Sequence, residues 1–302
     1  MNTLIHLVVE RHADAFRRCR MRLSIALLLL GLPGWSAAQD LPLWELGAGL
    51  AVLNLPEYRG ASERHNDYLP LPYVIYRGEV LRIDRQQVRG LLLQTERVQL
   101  DISANAATPV RSSDGGPRAG MPDLDPTLEI GPSVELLLHQ SARGPRFTLN
   151  FPLRAAVAVA EDLSRWQGVG WVSQPHLGVD WLNTGPGRVW RFGLAAGPVF
   201  ADSKYHHYYY SVAPALATAA RPAYAAPGGY SGARLTLTLS RRFKQDYWLG
   251  GFVRYDNLAG AAFRDSPLVE EQHALMAGVG LAWIFARSGR TVKATDWSAG
   301  SP

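Results

Sequence analysis

The chain has 302 residues, 47% apolar and 19% charged, long enough for one large domain and too apolar for wholesale disorder. Its formal charge of +5 comes mostly from residues 1–38, where five arginines face two acids; the other 26 bases and 24 acids nearly balance, and with no Lys/Arg block among them nucleic acid is set aside as a partner. The one cysteine, Cys19, lies in that same leader, so a chain cut behind it has no disulfide, no Cys-held metal and no thiol nucleophile.

In chain order, the leader "RRCRMRLSIALLLLGLPGWSAAQD" sets Arg17, Arg18, Arg20 and Arg22 before an apolar run that ends in Ser36-Ala37-Ala38. This pattern predicts a secretory signal peptide over 1–38, cut after Ala38, with Met21 as an alternative start. Downstream no uninterrupted apolar stretch reaches the roughly 18 residues that a spanning helix needs.

The mature part alternates with period two. In "TLEIGPSVELLLH", Leu128, Ile130, Val134, Leu136 and Leu138 share one face while Thr127, Glu129, Ser133 and Glu135 share the other; "RFTLNFPLRAAVAV" and "RLTLTLSRRF" repeat the pattern. Strands are predicted near 43–53, 68–77, 79–85, 88–94, 97–106, 127–139, 146–159, 170–182, 189–201, 231–243, 247–258 and 274–285. That makes twelve, or ten if the pair 79–85 and 88–94 does not form, and most have the length a tilted strand needs to cross a bilayer.

Connections come in two lengths. Short turns such as "QSARGP", "NTGPG" and "KQD" alternate with longer polar or Gly/Pro-rich segments near 54–67, 107–126, 160–169, 202–230 and 259–273. An all-β sandwich has no reason to segregate loop lengths, whereas an outer-membrane barrel puts short turns at the periplasm and long loops outside. Trp44, Tyr73, Trp171, Trp181, Trp190, Phe200, Phe243, Tyr247, Trp283 and Phe285 fall at or near strand ends, as expected of rings settling at the membrane interface. The expected domain plan is a signal peptide, an antiparallel transmembrane β-barrel over 39–286, and a polar tail over 287–302.

Following the alternation inward predicts a lumen charge network of Glu45, Asp101, Glu129, Glu135, Arg154, His176, Asp180, Arg191, Arg234, Arg254 and Asp256. Mixed signs in a narrow barrel predict pairing across the lumen; a selective polar pathway is the alternative. Ser173 and His176 lie close in "VSQPHLG", but their odd spacing sends them to opposite faces, so no serine–histidine pair forms there and no catalytic residue is assigned. "GMPDLDP" with Asp114, Asp123 and Asp125 lacks the grid of a calcium loop and reads as a turn fixed by Pro122 and Pro126. No metal or cofactor is expected. "YHHYYYSV" opens the longest predicted external segment; it is expected to be a short β-extension of the wall, forming with the segment after it a rim or lid built on Tyr205, His206, His207, Tyr208, Tyr209, Tyr210, Tyr224 and Tyr230, with the two histidines facing opposite ways.

Several stretches carry a family resemblance: "LPEYRGASERHNDYLPLPYVIYRG", "GMPDLDPTLEIGPSV", "YHHYYYSVAPALATAARPAYAAPGGYSG", and "VRYDNLAGAAFRDSPLV" followed by "GLAWIF". In this order, across about 43–286, the chain resembles the MltA-interacting protein family, MipA/OmpV, of Gram-negative outer membranes. The resemblance implies a barrel in outer-membrane lipid that brings a murein lytic transglycosylase together with a bifunctional murein synthase. Arg287–Pro302 departs from the family pattern, since such barrels end on the terminal aromatic.

Overall fold

The computed structural model describes residues 41–292 apart from 79–80, 84–87, 113–115, 142–143, 186–187 and 245. The expected signal peptide, Asp114 and the last ten residues of the expected tail lie outside the described residues.

The strands are β1 (Leu41–Pro42), β2 (Trp44–Pro56), β3 (Arg64–Arg77), β4 (Leu81–Ile83), β5 (Val88–Gln94), β6 (Val98–Ala107), β7 (Thr127–Gln140), β8 (Arg146–Val159), β9 (Trp166–Ser173), β10 (His176–Gly185), β11 (Arg188–Ala201), β12 (Gly229–Phe243), β13 (Tyr247–Asn257), β14 (His273–Arg287) and β15 (Thr291–Val292). β9 and β10 occupy one place in the wall: β8 pairs with β10 through His176↔Asn150 and with β9 through Ser173↔Leu153. β11 likewise pairs with both. The break between them falls at Gln174-Pro175, where proline has no N–H to give a ladder.

Counted this way, the described residues build a wall of twelve strands. Antiparallel ladders join each to the next in chain order, and β14 pairs back onto β2, from Ala277↔Asn54 to Arg287↔Glu45, so the circuit of pairings returns to its start. Most wall strands run to 13–15 residues; at about 3.3 Å per residue and a tilt of about 40°, such a strand covers roughly 35 Å, enough for the hydrocarbon core.

Alternation explains why this sequence closes on itself rather than stacking two sheets. On β14, Leu275, Val279, Leu281, Trp283 and Phe285 are each more than half exposed, while Ala274, Met276, Ala282 and Ile284 are buried. The same outward belt continues through Leu50, Phe151, Leu153, Leu177, Phe192, Leu235, Leu237 and Leu239. A sandwich would hide those side chains between its layers; a barrel in lipid turns them outward.

One predicted interface ring is misplaced. Tyr73 is buried on the inward face, packed with Ile75, Ala282, Ile284 and Trp248, because β3 keeps its odd residues inside down to Arg77. Trp171, Trp181, Phe200, Tyr247, Trp283 and Phe285 do face outward and are exposed.

Candidate functional site

The lumen is filled from both ends. At the periplasmic end, the end of the short turns, β1 and β15 form a two-stranded ribbon, Leu41↔Val292 and Pro42↔Thr291. Leu41 packs on Tyr73, Ile75, Ala282 and Ile284. The expected polar tail therefore begins as structure: β14 runs to Arg287, and the chain folds back so that Leu43 N–H donates to the Arg290 carbonyl at 2.8 Å. Above the ribbon, fully buried Glu45 pairs with Arg77 at 2.9 Å and with Arg242.

At the external end "YHHYYYSV" is not a β-extension of the wall. Residues Ser203–Tyr210 form a helix, α1. Tyrosine and histidine are weak helix formers, and tertiary packing overrides them. Asp202 caps the N-terminus, its carboxylate accepting the Tyr205 N–H at 2.9 Å and the Trp171 N–H of β9 at 3.1 Å. Burial of His206, Tyr209 and Tyr210 follows the spacing of one helical face.

Each tyrosine of α1 holds a different part of the mouth. Tyr205 donates to Glu129 at 3.0 Å, Tyr208 to the Asp125 carbonyl at 2.9 Å, and Tyr210 to the Arg59 carbonyl at 3.0 Å. Tyr209 and Thr127 share a hydrogen bond of 3.0 Å. Burial pushes the Tyr210 phenol up to about 12 and those of Tyr58, Tyr205, Tyr208 and Tyr209 up as well, so all stay protonated. Around α1 four external loops contribute one apolar core of Tyr58, Ala61, Val110, Leu124, Val212, Ala226, Leu258, Ala261, Phe263 and Leu268. Of the remaining predicted rim residues, Tyr224 packs against this core and bridges to Val212, Tyr230 opens β12 against Phe200, and His207 stays exposed. Together the loops and α1 form a plug.

Between the two caps stand the predicted lumen charges. Asp256, fully buried, accepts from Arg234 at 2.7 Å and from Arg59 at 3.2 Å. Glu129 accepts from Asn105 at 3.1 Å and faces Arg154 at 3.9 Å, while Arg154 also donates to Ser103 at 2.9 Å. Glu135 pairs with Arg146. Arg254 lies over the Phe252 ring, with its Nε buried and unbonded. Asp101, His176 and Asp180 line a cavity of about 160 Å³ with Glu135, Arg154 and Thr238, and Arg191 stands two residues before Gly193 of the same lining on β11, paired with Leu182. Glu45 sits apart, in the periplasmic cap.

Arg77, Arg146 and Arg242 lie inside the predicted strands 68–77, 146–159 and 231–243, and the same alternation carried to the strand ends would have added them. Arg59 carried no signal, because it reaches into the lumen from a loop.

Two constellations resemble catalytic pairs and are structural. Ser173 turns away from His176 as its spacing requires: its hydroxyl donates to the Pro152 carbonyl at 2.8 Å, while His176 Nδ1 bonds the Gln174 carbonyl. His206 Nδ1 donates to the Pro227 carbonyl at 2.6 Å and Nε2 accepts from Ser231. Both residues of that second pair are buried at 1% exposure or less, closed to substrate. The acids of the rejected calcium loop are used locally, Asp123 by the Ser112 N–H and Asp125 by Arg165.

Burial, first, and then nearby Arg59 and His207 hold the His206 imidazole below its usual value, against the Pro227 carbonyl and Asp202. Folded His206 takes up a proton less readily than an unfolded histidine, which does so near pH 6.5. The contribution of His206 to plug stability is therefore fully present above about pH 6.5 and is lost as pH falls below that value. Limited proteolysis within 202–228 is expected to accelerate between pH 7 and pH 5, and H206Q to flatten that dependence.

A twelve-stranded wall with an apolar outer belt, a salt-bridged interior and a capped mouth defines a membrane β-barrel. The chain is similar to a bacterial polysaccharide outer membrane secretin (10% identity, 81% of this chain and 99% of that one, TM-score 0.41). It is also similar to the NanC porin (11%, 79% and 98%, 0.36) and the outer membrane protease OmpT of Escherichia coli (6%, 83% and 99%, 0.28). No curated protein matches the chain. It belongs to the MltA-interacting protein MipA family, whose profile matches residues 48–285, and it is a protein of the Gram-negative outer membrane.

Proposed function

We propose that the barrel is a scaffold rather than an enzyme or a pore, holding a murein lytic transglycosylase and a bifunctional murein synthase at the periplasmic face of the outer membrane. The family description names the first partner; the second rests on the sequence resemblance. The observation that carries the reading is the double cap: Leu41, Tyr73 and Ile284 fill one end and the α1 plug the other, leaving surface as what the barrel offers. On the periplasmic side that surface is the β1–β15 ribbon with the described residues of the short turns, among them Glu96, Ser141 and Lys244. The polar cavity between the caps favours a second reading, a small-solute pathway.

Binding of purified lytic transglycosylase and murein synthase to the mature barrel in nanodiscs separates the two. The scaffold predicts saturable capture of the transglycosylase that E129Q and R154Q leave within about twofold, since neither residue reaches the periplasmic surface. No capture of either enzyme would contradict it. Discrete conductance altered by those same substitutions would favour the pathway.

A further inference from the structure

The outward face of the wall is apolar because lipid is its solvent, and one residue departs from that rule. From Trp190 to Phe200 on β11, Leu235 to Phe243 on β12, Tyr247 to Tyr255 on β13 and Leu275 to Phe285 on β14, alternate residues turn to lipid. All but one of them are aliphatic, aromatic or glycine. The exception is Arg241. Its neighbours show which way it points: Arg242 pairs with Glu45 in the lumen, and Leu239 is 48% exposed on the lipid side.

A charge at that place needs a partner, and the protein supplies only rings. The guanidinium carbon lies 4.9 Å from the ring centre of Trp190, its cross-strand partner, and 4.5 Å from that of Phe243, two residues on. Such rings stabilise the charge through their quadrupole and leave the five N–H donors to be satisfied elsewhere. Nε is buried and unbonded, and among the described residues no carboxylate comes within ion-pair range. The stretch 182–190 beside it, "LNTGPGRVW", holds no acid. Asp246, in the next turn, is engaged by Arg287 at 2.6 Å, while exposed Lys244 adds a second positive charge on that side.

Depth fits a lipid phosphate. Phe243, Tyr247 and Trp283 make one register row of outward rings at the periplasmic interface, and Arg241 stands one row, about 5 Å, nearer the membrane centre. Its contact with Phe243 bends the side chain back toward that interface, the direction in which a long cation reaches headgroups. On its other side the outward face is hollow. Gly251 lies between Leu239 and Val279 in the next row and carries no side chain, and the depression there, about 510 Å³, is bordered also by Val52, Phe192 and Ala277. A cation with open donors at the foot of an apolar furrow matches a molecule with a phosphate at one end and a hydrocarbon chain at the other. The same face of a second copy would bring no acid to Arg241.

We propose that this face holds one glycerophospholipid of the periplasmic leaflet, its phosphate on Arg241 and an acyl chain over Gly251. The site stands whether or not the barrel is a scaffold.

Mass spectrometry of the refolded mature barrel, released intact from detergent, counts bound lipids directly. With dioleoylphosphatidylglycerol the protein is expected to keep one lipid; with dioleoylglycerol, the same tails without the phosphate, retention is expected to be about tenfold lower. R241Q should lower retention of phosphatidylglycerol by about the same tenfold. A277W fills the depression and is expected to lower retention about fivefold with Arg241 intact, which a site for phosphate alone would not show. L128W, the same kind of enlargement on the outward face of β7, should stay within about twofold of the unmodified barrel. R241Q and A277W both lie on the lipid face and break no contact of the lumen, so either decides if the other refolds poorly. Phosphatidylglycerol retained by R241Q or by A277W as by the unmodified barrel, or a lipid-free dimer that A277W dissociates, overturns the site.

Discussion

Replacing Asp256 by alanine is expected to cost about 3–5 kcal/mol of unfolding free energy, because it strands buried guanidinium groups without their counter-ion. Asp256 is fully buried, bonded to Arg234 at 2.7 Å and to Arg59 at 3.2 Å, and Arg254 shares its inward face two residues earlier on β13. Removing the carboxylate leaves repulsion among three arginines in a medium that screens it poorly. It also frees Arg59, which ties the first external loop to the lumen, so the plug should loosen along with the wall. Urea unfolding of the refolded barrel in lipid vesicles measures the first effect and proteolysis of the loops the second. Adding R59A to D256A should cost less than the two single changes together, since one of the stranded charges is then gone. Wild-type stability in D256A would mean that another group balances the arginines.

Phe263→Ala should be as costly but confined to the plug. Phe263 is fully buried, stacked on Tyr210 at 3.7 Å between ring centres and edge-on to His206 at 4.7 Å. Truncating a buried phenylalanine costs about 3–5 kcal/mol when the site cannot collapse. Here the cavity would open among loops joined to the wall at many points. The expected outcome is local unfolding: rapid cleavage within 202–228, while the barrel itself keeps the heat-dependent gel mobility of a folded outer-membrane protein. Loss of that mobility shift would show instead that plug and wall fold as one unit.

The contrast between these two sites follows what the sequence made legible. The wall was readable because a strand between lipid and lumen must alternate, and a period of two persists through residues as different as Leu128 and Pro132. The same rule located Asp256, Arg234, Glu129 and Arg154. The plug was not readable, because nothing local distinguishes a helix in "YHHYYY" from a strand. Its conformation is set by the Asp202 cap and by partners distant in sequence, Arg59, Asp125, Thr127 and Ser231, each bonded to one ring of the helix. Tyr73 was misread for a related reason: a ring near a strand end belongs to the interface only if its parity points outward, and at Tyr73 the parity points in.

On the proposed scaffold reading the lumen is stopped at both ends, so that the barrel presents a surface and not a passage. Single-channel recording of the refolded mature barrel in planar bilayers at neutral pH tests it most directly. A bilayer that stays silent, while the same preparation shows the mobility shift of a folded barrel, is the predicted result; discrete, repeatable openings of the unmodified protein would contradict it.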